Sequence, residues 1–416
     1  MRPETKHSVV LVLGTGFTAL LSTVYSVYAG RVLGPADYAD FTAVVSFVFL
    51  FSIALGPINA IVARFTTQFA TRGAYGKIRT LSREISRRVA WYGLVGLLVG
   101  LAAVRPLTRV FQFNSPVTLM IGYGMIWLSL LLNVPRGVLR GVQNFGQYNI
   151  NIVLEAGLRL VVGMILLRWV GGVVWGLSAY LFALAVILVF SRGQVGKVWQ
   201  GCPAESLDGA AVKRFTVPMF FLALGGAGFE NIDMLLVKHY FTATDAGYYG
   251  AAFTLARTMG VLVTPFSILL LPLITHLHER GEQTAGALAR ICGRFLALAA
   301  VPLLVFWLWP EPIMVVLYGR AFSASAVLVL GLAATRLAGY LTSLLVLAYS
   351  AVNDFRFLFI YMPGLVAEAL ALSVWHASLR TVVAVVLVTQ ALTLAAILAL
   401  MAQRARRRGP SAEPPP

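Results

Sequence analysis

The fold is decided by a stretch that begins Arg31-Val-Leu-Gly-Pro-Ala-Asp-Tyr-Ala-Asp-Phe41 and continues through an apolar run, broken by Pro57, to Arg72-Gly73. Four of its features recur 208 positions later, without a gap: Asp37 as Asp245, Phe41 as Tyr249, Pro57 as Pro265, and Arg72-Gly73 as Arg280-Gly281. The interval of 208 is half of the 416 residues. An internal repeat of this length indicates two copies of one structural unit.

The composition is that of a membrane protein. Hydrophobic residues make up 59% of the chain and charged residues 12%, against about 25% charged residues in an average soluble domain. The mean hydropathy is +0.82. We therefore expect an all-α polytopic membrane protein.

Apolar runs long enough to cross a bilayer predict twelve transmembrane helices. They lie at about 8–29, 39–65, 89–104, 117–135, 147–167, 171–191, 215–237, 246–275, 295–310, 323–350, 357–375 and 381–402. Six helices in each copy would insert both copies with the same orientation, so we expect two six-helix lobes related by a pseudo-twofold axis along the membrane normal, with a cavity between them. The predicted domains are an N-terminal lobe, a cytoplasmic linker, a C-terminal lobe and a disordered basic, Pro-rich tail, at 1–192, 193–211, 212–403 and 404–416.

The net charge of +17 reports topology and affinity for anionic headgroups rather than nucleic-acid binding. With the N-terminus in the cytoplasm, 22 of the 33 Lys and Arg residues are cytoplasmic and seven lie in the opposite loops. This bias predicts that both termini are cytoplasmic. The remaining four, Arg64, Arg159, Arg257 and Arg336, fall inside predicted spans.

Three motifs resemble polysaccharide exporters of the Wzx type. They are Gly30-Arg-Val-Leu-Gly-Pro-Ala-Asp-Tyr38, its second copy Asn231–Tyr249, and Arg140-Gly-Val-Gln-Asn-Phe-Gly-Gln-Tyr148. That family belongs to the multidrug/oligosaccharidyl-lipid/polysaccharide exporter (MOP) superfamily, and the likeness runs over nearly the whole chain. One departure is Phe241-Thr-Ala243, where the family commonly has Leu-Gly-Pro.

The resemblance implies a transporter that flips an undecaprenyl-diphosphate-linked oligosaccharide across the cytoplasmic membrane by alternating access. Its partners would be the lipid-linked oligosaccharide, membrane lipids and polysaccharide-assembly proteins, and not nucleic acid; we expect a monomer. A pyrophosphate and a sugar headgroup cannot cross hydrocarbon unaided, so the protein should offer a wet, cationic cavity.

Arg159, Arg257 and Arg336 are the predicted headgroup ligands, because guanidinium suits bidentate binding of phosphate oxygens. Arg159 and Arg257 each have an alternative role, as a member of an internal ion pair rather than a ligand of the substrate. Arg159 follows Glu155 by four residues, which favours an internal ion pair. Arg257 would reach Glu230 and Asp233 near the end of the seventh span, whereas Arg336 has no charged neighbour within four positions and is favoured as a cavity residue.

Glu230 and Asp233 are the predicted ion-coupling pair. Two close carboxylates in low dielectric share a proton or hold a sodium ion, so H⁺ or Na⁺ coupling is the expectation, with no other cofactor and no metal site. Asp233 would alternatively neutralise Arg257. Pro57 and Pro265 each remove an intrahelical hydrogen bond, which predicts hinges or static kinks.

Two other functions stay open. A cation-coupled multidrug exporter of the same superfamily would be expected to carry a carboxylate deep in the first half, where the sequence offers only Glu155. A membrane polysaccharide polymerase or ligase would be expected to have a large outer loop with catalytic Arg or His, whereas the outer loops are short. Enzyme motifs are absent from the sequence, so we expect a transporter and not an enzyme.

Overall fold

The computed structural model describes residues 3–54, 56–203, 205, 210–280, 284–352 and 354–407. Within these ranges every regular element is a helix. The first seven are α1 (Pro3–Ala54), α2 (Pro57–Thr71), α3 (Tyr75–Ala102), α4 (Val104–Val110), α5 (Pro116–Gly141), α6 (Phe145–Trp169) and α7 (Val173–Gly196). The others are α8 (Ala210–Tyr240), α9 (Ala243–Arg257), α10 (Gly260–Glu279), α11 (Thr284–Leu308), α12 (Pro310–Tyr318), a 3₁₀ turn (Arg320–Ser325), α13 (Ala326–Ala351), α14 (Leu358–Val374) and α15 (Leu379–Arg407).

The chain divides into two compact units. The first unit comprises the described residues of Met1–Ala227 and Phe241–Gly250. The second comprises those of Gly228–Tyr240 and Ala251–Pro416. The lobe boundaries and the pseudo-twofold axis stay predictions. From residue 408 onward the predicted tail lies outside the described residues, as do 204 and 206–209 of the predicted linker and Gly281 of the repeat.

The helices account for the twelve predicted spans. Ten stretches of the described chain are long and apolar enough to cross a membrane, and one of them, Leu11–Thr71, covers 61 residues and holds both of the first two predicted spans. The predicted eleventh span corresponds to the apolar helix α14, which has only 17 residues. Each of the twelve predicted spans therefore overlaps an apolar helix of the described chain.

The two copies of the repeat make their corresponding turns by different means. In the first copy α1 is interrupted at Gly34, whose φ of 74° and ψ of 174° favour glycine, and Pro35 follows with a φ suited to starting a helix. In the second copy Thr242 caps α9: its hydroxyl accepts a hydrogen bond from the Asp245 backbone N–H at 3.2 Å and donates to the Asp245 carboxylate at 2.7 Å. Side-chain capping by Thr242 thus starts the helix in the second copy, where the first copy uses Gly34-Pro35.

Residues 66–88, which separate the second and third predicted spans, do not form a loop. The segment is helical except for a short turn between α2 and α3. Ile78, Leu81 and Ser82 are buried on one face of α3 while Arg83 and Arg87 are exposed, so this basic segment is an amphipathic extension of a spanning helix. A hydropathy window misses such an extension because its charged face lowers the mean.

The two repeat prolines occupy different helical positions. Pro57 is the first residue of α2, directly after the interruption between α1 and α2. Pro265 lies inside α10, and the second copy is interrupted earlier, at Thr258–Met259, between α9 and α10. Both copies therefore break the same predicted span, but only Pro57 lies at the break. A hinge role for either proline stays a prediction.

Close packing of α2 against α5 depends on two glycines four residues apart. A Cβ on Gly137 would lie 2.7 Å from Val62 Cβ, and one on Gly141 would lie 2.4 Å from Thr66 Cβ. Thr67 also donates from its hydroxyl to the Gly141 carbonyl at 2.9 Å. This small-xxx-small pattern lets the two backbones approach, as is common between membrane helices.

Replacing Gly141 with Val is expected to destabilise the protein by about 1–3 kcal/mol, because the new methyl groups must displace Thr66 or the backbone of α2. Gly96→Val is the matched control, since a Cβ on Gly96 would meet no atom within 4 Å. Thermal unfolding of the purified variants in detergent measures the difference. Equal losses for both variants would contradict the close approach.

Candidate functional site

The polar centre of the second unit is a buried ion pair. Arg336 of α13 donates from Nη2 to Asp233 Oδ2 of α8 at 2.7 Å, and the two side chains are 2% and 0% exposed. Arg336 Nη1 also donates to the Phe229 carbonyl at 3.1 Å. The sequence suggested Arg257 as a partner that neutralises Asp233, and the structure adds Arg336 as a partner that the sequence did not suggest. Their separation of 103 positions made this pairing invisible to local sequence patterns.

Glu368 of α14 is a third buried ionisable group in this region, and we refer to Asp233, Arg336 and Glu368 as the second-unit cluster. Glu368 Oε2 accepts a hydrogen bond from the Thr389 hydroxyl at 3.1 Å. Its other oxygen, Oε1, is buried without a hydrogen-bond partner among the described residues. Gln390, next to Thr389 on α15, donates to the same Phe229 carbonyl as Arg336, so Glu368 lies in the same buried region as the ion pair.

Arg257 and Glu230 lie beside the second-unit cluster. Arg257 Nη1 is 3.5 Å from Asn231 Oδ1, and the Arg257 guanidinium lies 5.6 Å from the centre of the Phe253 ring. Arg336 lies 4.6 Å from the same ring, so both arginines interact with one aromatic side chain. Glu230 is only partly buried, so it is more accessible than Asp233. Their roles in substrate binding and ion coupling stay predictions.

A second polar centre lies in the first unit, and we call Arg136, Glu155 and Arg159 the first-unit cluster. The predicted pair within α6 is present but loose, with Arg159 Nη1 3.7 Å from Glu155 Oε1. A tighter contact joins Arg136 Nη2 of α5 to Glu155 Oε2 at 2.5 Å. Glu155 therefore bridges two arginines from neighbouring helices.

Sequence reasoning missed Arg136 because it ended the fourth span at residue 135 and assigned the next charge to a loop. The helix α5 continues to Gly141, so Arg136 stays in the helix and faces α6. A charged residue that ends an apolar run can lie in a loop, or it can lie on the polar face of a helix that continues past the run. Hydropathy alone does not distinguish these two cases. A search for acidic partners on adjacent helices would have flagged Arg136 with Glu155.

The two clusters have opposite formal charge balance. The first-unit cluster holds two arginines and one carboxylate. The second-unit cluster holds one arginine and two carboxylates. The first suits an anion and the second a proton or a cation. Over the described part of the chain, no group of three His, Cys, Asp or Glu side chains is arranged to hold a metal ion.

Replacing Arg336 with Met is expected to lower stability by about 3–5 kcal/mol, because the buried Asp233 carboxylate would lose the guanidinium that donates to it at 2.7 Å. Adding Asp233→Asn to that variant should restore much of the loss, since the uncompensated charge is then removed. Unfolding temperatures in detergent are compared with those of Arg356→Met, which alters an exposed arginine. If the double variant were less stable than Arg336→Met, the ion pair would not be the source of the loss.

Comparisons with known proteins identify the family and the fold. The sequence model described as "Polysaccharide biosynthesis protein" matches residues 5–278. A comparison with curated proteins finds no match.

Several solved structures share the fold. An inward-facing multidrug resistance MATE family transporter of the MOP superfamily superposes with a TM-score of 0.76 at 12% identity, covering 95% of this chain and 96% of that one. The lipid II flippase MurJ in an inward closed conformation gives 0.71 at 11% identity, covering 95% and 87%. A MOP superfamily transporter from Pyrococcus furiosus, described as having a binding pocket of reverse polarity, gives 0.65 at 16% identity and 96% coverage of both chains.

These structural matches confirm the predicted all-helical, two-lobed polytopic fold. The apolar helices and the shared fold make the chain a multi-pass membrane protein. The match to the family covers well over half of the chain, so the chain belongs to the polysaccharide biosynthesis protein family.

Proposed function

We propose that this protein flips a polyprenyl-diphosphate-linked oligosaccharide, a precursor of a cell-surface polysaccharide, across the cytoplasmic membrane by alternating access. The observation that carries the proposal is the placement of arginines inside spanning helices of both units in a member of this family. Buried or half-buried arginines are costly in a membrane and are kept where they pair or bind an anion. The likeness to a lipid II flippase supports the fold that such transport needs.

The chemistry of the substrate explains why arginine would be used. A diphosphate carries several acceptor oxygens, and the planar guanidinium binds two of them at once. Arg257, Arg159 and Arg336 are the proposed ligands, and Arg336 also holds Asp233, so its replacement would disturb the buried ion pair as well as binding. The proposed partners are the lipid-linked oligosaccharide, surrounding lipids and polysaccharide-assembly proteins, with the protein acting as a monomer whose termini are both cytoplasmic.

Reconstituted protein is expected to flip a fluorescent polyprenyl-diphosphate oligosaccharide in proteoliposomes. Arg257→Ala should slow flipping about tenfold or more, because a charge-assisted hydrogen bond to phosphate is lost. Arg356→Ala, on an exposed arginine, serves as the control at equal protein density. If the wild type moved cationic drugs but not the lipid-linked sugar, the multidrug-exporter function would replace this proposal.

We further propose that Glu230 and Asp233 couple transport to an H⁺ or Na⁺ gradient. Glu230→Gln is the cleaner test, because Asp233 also holds Arg336 in place. The variant is expected to lose the acceleration that an imposed gradient gives the wild type, while its rate without a gradient changes little. Glu311→Gln, on an exposed glutamate of α12, is the control. A gradient response that survives in Glu230→Gln would remove Glu230 from the coupling site.

A further inference from the structure

The first-unit cluster is held in place by a polar network. Arg136 Nε donates to Asn151 Oδ1 at 2.7 Å. The Asn151 amide donates in turn to the Ser191 hydroxyl and, at 3.3 Å, to Gln194 Oε1. A guanidinium fixed by a neighbouring amide has little rotational freedom left to lose on binding a ligand, so Arg136 is preorganised.

Arg159 is fixed from the opposite side. Its Nη2 donates to the Ser22 hydroxyl of α1, and its guanidinium lies 4.5 Å from the centre of the Tyr180 ring. Its Nε is buried and has no hydrogen-bond partner among the described residues. An unsatisfied donor on a buried cation is unfavourable, so this nitrogen is available to a further acceptor.

Glu155 occupies the position between the two guanidinium groups. One carboxylate oxygen contacts Arg136 at 2.5 Å and the other lies 3.7 Å from Arg159, so each oxygen faces a different arginine. A phosphate group presents oxygens in a similar arrangement and carries more negative charge. The side chains of Arg136 and Glu155 are 17% and 16% exposed, so neither is fully buried.

The charge balance favours an additional anion. Two guanidinium groups face one carboxylate, so the first-unit cluster has one positive charge without a partner inside it. In a spanning bundle such an excess is unfavourable unless water or an anion compensates for it. A ligand with at least two negative charges would neutralise both arginines and release Glu155 to the partly exposed side.

We propose that Arg136 and Arg159 form a binding site for a diphosphate group, and that Glu155 is an internal counterion which this group displaces. The choice of a lipid-borne diphosphate as the source rests on the proposed function; free pyrophosphate has the same chemistry. Glu155 holds the two arginines in place when the ligand is absent. Its displacement makes binding an exchange of one anion for another, so the two arginines always have a counterion.

The test measures binding to purified full-length protein in detergent, independently of transport. The probes are farnesyl diphosphate, inorganic pyrophosphate and farnesol. Wild-type protein should bind both diphosphates and not farnesol, with farnesyl diphosphate binding more tightly if the lipid-borne group is the ligand. Arg136→Ala should weaken diphosphate binding about tenfold or more, and Arg136→Lys should restore only part of it, because lysine has no fork of donors.

The Glu155→Gln variant tests whether Glu155 is a counterion that the ligand displaces or a residue with only a structural role. This variant keeps the size and a hydrogen-bonding side chain but removes the competing charge, so diphosphate should bind several-fold more tightly. Weaker binding in Glu155→Gln would overturn the displacement. Arg168→Ala, on an exposed arginine at the end of α6, is the matched control and should bind like the wild type.

The outcomes separate this inference from the proposed function. If the wild type flips lipid-linked oligosaccharide while Arg136→Ala and Glu155→Gln bind diphosphate normally, the inference fails and the flippase function stands. If diphosphate binding depends on Arg136 but no flipping occurs, the site stands and the flippase function fails. Thermal unfolding of each variant is recorded, and Glu155→Gln alone decides the matter if Arg136→Ala does not fold.

Discussion

An arginine inside a membrane-spanning bundle needs a counter-charge, because hydrocarbon solvates neither a guanidinium nor a carboxylate. In the second unit this requirement ties α13 to α8, through Arg336, Asp233 and the Phe229 carbonyl. In the first unit it ties α5 to α6, through Arg136 and Glu155. Apolar packing between lipid-solvated helices gives little preference for one partner over another, whereas these contacts specify which helix faces which.

The two halves of the chain differ in their buried charges. Glu155-Ala156 in α6 recurs 213 positions later as Glu368-Ala369 in α14, yet Glu155 contacts two arginines while Glu368 accepts a hydrogen bond from Thr389. The same carboxylate therefore takes part in a site with excess positive charge in one unit and excess negative charge in the other. The first arrangement suits the binding of an anion and the second the binding of a proton or a cation.

Much of the fold was predictable from the sequence, because length, hydropathy and the 208-residue repeat are local or periodic signals. The helix ends were less predictable. The amphipathic start of α3 and the continuation of α5 to Gly141 carry charges that a hydropathy window counts as loop. That error hid Arg136, since a charge assigned to a loop is not examined for a partner. The break at Thr258–Met259 also had no proline to mark it.

The sequence by itself determined that the chain lies in a membrane, that it is all-helical and that it contains an internal repeat. It also showed arginines within the predicted spans. Each of these follows from composition and periodicity. Only the tertiary structure decided which charges meet. Arg336 pairs with Asp233 across 103 positions, and Arg136 shares Glu155 with Arg159. Pairing depends on the rotation and depth of each helix against its neighbours, which side-chain packing sets over the whole unit. No local pattern in the chain encodes those two quantities, so the chemistry of both clusters emerges only when the helices are packed.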